Sequence, residues 1–254
     1  MIDRRWIDVD LRPPVGIGVD GFAGALPESE AMLACSAGNF GADFDLIPRS
    51  EWPALIISQA GVANLDPYIR NQKKEGSCVG NGGAAAVDRC QAVQHGRIIR
   101  TSAMSLYKRI GRTAQSGAVI SDALEELRTR GILPEDTPEN RALFPHVHPA
   151  TGWSTPLPAG WEATAALFKV DEYWRINSFD EAATALFLGF GVVYGRARHC
   201  ICGWQIVKDG NRWLLKYKNS WGDWGENGYG YDSESYLRGG PFGFAIRTLT
   251  VRVS

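Results

Sequence analysis

Three things are scarce in this sequence: a surplus of charge, long apolar runs, and cysteine. Its 27 Lys and Arg residues against 28 Asp and Glu leave a formal net charge of -1, so no overall field favours nucleic acid or an anionic membrane as partner. No stretch approaches the ~20 apolar residues that span a bilayer. The amino terminus, MIDRRWIDVDLRPP, is charged from its third residue and lacks the apolar run of a secretory leader. Five cysteines, Cys35, Cys78, Cys90, Cys200 and Cys202, are too sparse and of the wrong parity for a disulfide framework. The expectation is a soluble protein of the cytoplasm or another reducing compartment, with at least one free thiol and with neither nucleic acid nor membrane as partner.

What is present is an ordinary globular balance, 44% hydrophobic and 22% charged over 254 residues, enough for one large domain or two lobes around a cleft. Residues 1–40 are rich in Gly, Pro and Ala without clear periodicity and read as an arm; the packed body is expected over 41–254. GGAAAVDRCQAV (82–93) has helical character, as does SDALEELRTR (121–130), with Ser121 or Asp122 as cap and Gly131 as stop. Residues 134–160, crowded with Pro, His and Gly, predict a surface connection. A helix over 178–188, capped by Ser178, comes next. GVVYGRA, CICGWQIV, RWLLKYKNS and AIRTLTVRV then read as strands, with a turn at Asp209-Gly210. The predicted class is α+β, with a helical lobe over about 71–135, a β-rich lobe over about 161–254 and a cleft between them.

A nucleophilic cysteine needs a route to thiolate, a base, and donors aimed at the oxyanion that forms on attack at a carbonyl. Cys78 ends Asn-Gln-Lys-Lys-Glu-Gly-Ser-Cys (71–78) directly before the first helical stretch, where a helix N-terminus favours the thiolate. Gln72 can bring a side-chain N–H to the oxygen that the Cys78 backbone N–H binds. A hairpin turning at Asp209-Gly210 brings His199 beside Asn219, whose side-chain oxygen can orient the imidazole as the third member of a triad does. Trp221 and Trp224 are placed to cover that hydrogen bond from water.

These residues resemble the papain and cathepsin family. Gln72, then Gly-Ser-Cys at 76–78, His199 opening a strand, and Asn-Ser-Trp-Gly-Asp-Trp-Gly-Glu-Asn-Gly-Tyr at 219–229 follow its pattern in order. SGAVISDALEELRTRGILPED (116–136) is similar to the bacterial branch. The resemblance implies a two-lobed papain-like fold, helical on the left and β-barrel-like on the right. It also implies a cysteine endopeptidase acting on peptide or protein substrates, without cofactor or metal. Ser116, Gly117, Ala118 and Trp221 become the candidate substrate-binding residues. The other readings are a catalytically silent binding module and a peptidyl transferase using the same acyl-enzyme.

Several residues depart from the family pattern. Glu75 stands where the family has a disulfide cysteine, Val79-Gly80-Asn81 replaces its Trp-Ala-Phe, and Arg198 precedes the histidine in place of Asp or Asn. A cation at Arg198 would disfavour the imidazolium. The arm is shorter than the family's inhibitory pro-segment and lacks its helical pattern, so it is read as a tether, able to join a larger assembly, in preference to a cleft cover. Cys200 and Cys202 alternate with His199 and Ile201 along a strand and so share the opposite face, which argues for buried thiols over a metal site. His146 and His148 read as surface-loop residues, Cys90 as core, and Lys73-Lys74 as exposed loop. Cys35 has no clear reading.

Overall fold

The structure, a computed structural model, describes residues 2–9, 11, 24–28, 38–61, 68–196, 198–238 and 243–248. Cys35 and Pro13-Pro14 lie outside these. Fourteen elements carry the argument. They are strand β1 (Ala25–Leu26) and helices α1 (Trp52–Ser58), α2 (Cys78–His95) and α3 (Ala103–Ile110), followed by strand β2 (Ala118–Val119) and helices α4 (Ile120–Thr129) and α5 (Pro138–Leu143). Strand β3 (Glu172–Ile176), helix α6 (Phe179–Phe187) and strands β4 (Gly191–Arg196), β5 (His199–Asp209), β6 (Arg212–Lys218), β7 (Tyr229–Ser233) and β8 (Gly243–Arg247) complete the set.

Strands β3 to β8 form one antiparallel sheet in the order β3-β8-β4-β5-β6-β7. Its edges, β3 and β7, do not pair with each other, so the right-hand lobe is an open sheet and barrel-like only loosely. Both faces are covered, and the alternation of side chains divides them. Val193, Cys200, Cys202, Trp204, Phe244 and Ile246 face the helical lobe. Val192, Tyr194, Ile201, Ile206 and Ala245 face the opposite way, into a second core built on α6 and on Trp52 of α1.

Helix α2 lies between the lobes and is buried continuously from Cys78 to Ala92. Its small residues permit this. A Cβ at Gly82 would sit 2.6 Å from Cys200 Sγ, and one at Gly80 would sit 2.5 Å from the Ala103 carbonyl oxygen. The charged pair inside the helix is satisfied internally. Asp88 takes an ion pair from Arg70 and hydrogen bonds from the Thr101 amide and hydroxyl. Arg89 donates to the carbonyls of Trp204, Phe190 and Leu186, the last of which lies in the final turn of α6, where a basic partner is favourable.

The predicted helices are present at nearly the expected places. Ser178 caps α6 by accepting from the Glu181 amide at 3.1 Å. At α4 the N-cap is Val119, without a side-chain cap of its own, and neither Ser121 nor Asp122 fills that place. The connection over 134–160 holds one correction: His148 is buried, with ring contacts to Pro149 O and Thr155 O, because it packs against the start of α3 at Ser102. Among the described residues no helix is long and apolar enough to cross a membrane, and no cluster of His, Cys, Asp and Glu could hold a metal ion.

Candidate active site

The loop before Cys78 is stitched to the far lobe before it reaches the helix. The Gln72 amide donates to Ser220 O at 2.8 Å and the Gly222 amide to Arg70 O at 3.0 Å, which sets residues 70–72 against 220–222. The chain then turns into α2, where Asn81 Nδ2 holds the Ser77 carbonyl and hydroxyl at 2.9 and 3.2 Å. Cys78 is the first residue of α2, and the backbone N–H of Cys200 acts on its thiol electrostatically. The Cys200 contact places the sulfur beside the start of β5.

His199 opens β5 and Asn219 follows β6, brought together by the hairpin that pairs Asp209 with Arg212. His199 Nε2 lies 2.7 Å from Asn219 Oδ1, and that oxygen also accepts from the Ser220 amide at 2.7 Å. An oxygen so placed only accepts, so Nε2 carries the ring proton and Nδ1 holds the lone pair. Trp221 stacks on the imidazole at 4.3 Å between centroids, and Trp224 meets Trp221 edge-on at 5.6 Å. Gln72 Oε1 accepts from Ser220 Oγ at 2.6 Å while Nε2 donates to Glu75 O at 2.7 Å, which leaves one Nε2 hydrogen unassigned. Cys78 and His199 do not hydrogen-bond to each other among the described contacts.

Residues 24–28 of the arm, expected to act as a tether, lie between the two lobes. Strand β1 pairs in parallel with β2, Ala25 opposite Ala118 and Leu26 opposite Val119. Ala118 N donates to Gly24 O at 3.1 Å, and Ala25 N donates to Arg198 O at 2.8 Å across the cleft. The fit is close on both sides: a Cβ on Gly117 would lie 2.0 Å from Gly24 O, and one on Gly24, at φ +62°, 1.9 Å from Arg198 O. Glu28 then accepts from the amide and hydroxyl of Ser121 at the start of α4. Upstream, Asp8 binds the sheet edge through Tyr231 O and Ser233, and Trp6 meets Trp224. Of the predicted substrate-binding residues, Gly117 and Ala118 face this strand, Trp221 covers His199, and Ser116 Oγ accepts from Arg112 N and Thr113 N within its own loop. Nothing in the composition of the arm signals this, since its partners lie ~90 or more residues away along the chain.

Covering changes the electrostatics. Ala25 lies in the same buried cluster as Cys78 and Cys200, and Cys78 is 0% exposed. Burial pushes its thiol up to about 11, and nearby backbone N–H groups offset only part of this, so the helix start does not produce a thiolate in this state. His199 is held down to about 4, chiefly by burial; the Asn219 hydrogen bond offsets part of this, and the Arg196 cation adds to it. The cation acting on the imidazole is therefore Arg196, which is buried against Asp232 at 2.6 Å. Arg198 contributes its carbonyl, and its side chain is exposed.

No protein-family model matches the chain, and no curated protein matches it. Solved structures do. Xylellain, a cysteine protease from Xylella fastidiosa, is 21% identical at a TM-score of 0.60, over 90% of this chain and 96% of that one. Digestive procathepsin L2 proteinase from Tenebrio molitor larval midgut is 16% identical at 0.64, over 90% and 78%. Bromelain from Ananas comosus, in complex with the E64 inhibitor, is 16% identical at 0.54, over 73% and 95%. At these identities the likeness is one of fold, and the chain has the papain-like cysteine protease fold.

Proposed function

We propose that this protein is a cysteine endopeptidase held in a covered state by residues 24–28. The observation that supports the reading is the His199–Asn219 pair, with Gln72 tied to the same Asn219-Ser220 turn and Cys78 heading the buried helix that packs on β5. Once the groove is open, Cys78 transfers its proton to His199 Nδ1 and the thiolate attacks a peptide carbonyl. The oxyanion is received by the Cys78 N–H and by the unassigned Nε2 hydrogen of Gln72. His199 then protonates the leaving amine, and afterwards acts as base for the water that hydrolyses the thioester. The substrate class is a peptide or an extended protein segment, because the groove accepts a strand through backbone hydrogen bonds. The reaction as written uses no cofactor.

Gly24→Val in the full chain tests both parts, since a side chain there collides with Arg198 O and has to displace β1. The variant is expected to hydrolyse a peptide library at least tenfold faster than the parent, and Cys78→Ala in the same background to abolish turnover. A Gly24→Val protein that exposes Cys78 to alkylation yet turns over nothing, while Cys78→Ser still binds peptides, would make the groove a binding module.

A further inference from the structure

We propose that Glu75 is a positioning residue for the oxyanion site, acting through Gln72; the inference rests on the peptidase reading. Between Gln72 and Cys78 the chain has no regular structure, and Lys73 stands at φ +51°, so the loop needs an external anchor if the Gln72 amide is to keep its aim. Glu75 supplies one. Its Oε1 accepts from the consecutive amides of Gly152 and Trp153 at 2.9 and 2.8 Å, two charge-assisted bonds from backbone that is itself fixed. Trp153 lies edge-on to Tyr107 at 5.4 Å, and Lys108 stands 4.8 Å over its ring and donates to its carbonyl. Tyr107 belongs to α3 and accepts from the Gly117 amide at 3.1 Å. The carboxylate therefore ties the nucleophile loop to a packed part of the helical lobe.

The main chain of the same residue holds Gln72. Glu75 O accepts from Gln72 Nε2 at 2.7 Å and Glu75 N donates to Gln72 O at 3.1 Å. The other end of the amide is fixed by Ser220 Oγ from the opposite lobe. Gln72 is thus held between a carbonyl that Glu75 positions and a hydroxyl that the Asn219-Ser220 turn positions. Freeing the Glu75 side chain lets that carbonyl rotate, and the remaining Nε2 hydrogen loses its direction. Removing an oxyanion donor outright costs about 100- to 1000-fold, and displacing one by about 1 Å costs up to about 100-fold.

The test uses full-length Gly24→Val protein as parent and measures kcat and KM for a peptide amide together with the rate of Cys78 alkylation by iodoacetamide. Alkylation displaces iodide at a saturated carbon and forms no oxyanion. Glu75→Ala is expected to lower kcat by about 10- to 100-fold with KM and the alkylation rate within about twofold. Glu75→Gln, which keeps an oxygen able to accept both amides, should restore most of kcat. Glu75→Asp, a second variant should Glu75→Ala not fold, withdraws the acceptor by one methylene and should fall between. Unchanged kcat in Glu75→Ala or Glu75→Asp, alkylation falling in step with kcat, or Glu75→Gln as impaired as Glu75→Ala would each overturn the assignment. A parent with no turnover removes the peptidase reading and this inference together; turnover in the parent with no loss in the Glu75 variants removes this inference alone.

Discussion

A neutral imidazole at His199 follows from where its ring lies: one nitrogen donates to Asn219, and the ring is buried under Trp221. With His199 held down to about 4 and Cys78 pushed up to about 11, the covered site at neutral pH is an uncharged thiol beside an uncharged imidazole. The sign of the linkage is set by His199. Its covered value is below the ~6.5 of a solvated imidazole, so the covered state binds fewer protons than an open one. Its advantage is complete above ~6.5 and declines as pH falls through about 4, by up to ~3 kcal/mol. Glu28 acts in the opposite sense, because burial raises its carboxyl on docking. Imidazole ¹⁵N titration should give a His199 midpoint below pH 5 in the full chain and a higher one in Gly24→Val. A midpoint near 6.5 in the full chain would mean that water already reaches the ring. Residue types suited to acyl transfer, together with the resemblance to the papain family, made Cys78, Gln72, His199 and Asn219 legible as candidates. It could not say which arginine faces the imidazole, since Arg196 and Arg198 differ only in the direction the backbone gives them.

At the scale of the element, α4 and β1 depend on each other. The helix begins at Ile120 without a cap from its own sequence, and Glu28, following β1, takes the Ser121 amide and hydroxyl instead. This carboxylate acts as an N-cap from a distant part of the chain, with the favourable charge for a helix N-terminus. Glu28→Ala removes both bonds and should cost docking about 1 kcal/mol, the usual value of a cap. The uncovered fraction should then rise about fivefold, read as a fivefold faster alkylation of Cys78. An unchanged rate would place the hold of the arm wholly in the β1–β2 pairing and the Asp8 anchor. Helix α6 shows the opposite case, since Ser178 caps it from the adjoining residue and is legible for that reason.

Across the whole molecule, one sheet separates two cores, and no disulfide joins them among the described residues. Cys78, Cys90, Cys200 and Cys202 are all free and buried, so adding reductant should leave the melting temperature within about 2 °C. A fall matching the ~2–4 kcal/mol of a native disulfide would contradict this. Periodicity and short-range spacing were enough to read the class, the hairpin that joins His199 to Asn219, and the opposite facing of Cys200 and Ile201. Each depends on periodicity or on residues a few positions apart, and such signals survive in one dimension. Only packing settled that Asp88 and Arg89 are internal, that His148 is buried, that Glu75 anchors the loop before Cys78, and that residues 24–28 lie between β2 and Arg198. In each of these the partner comes from a distant segment or from packing that closes only when the lobes meet. A polar residue that will be buried and paired reads, in sequence, the same as one left in water.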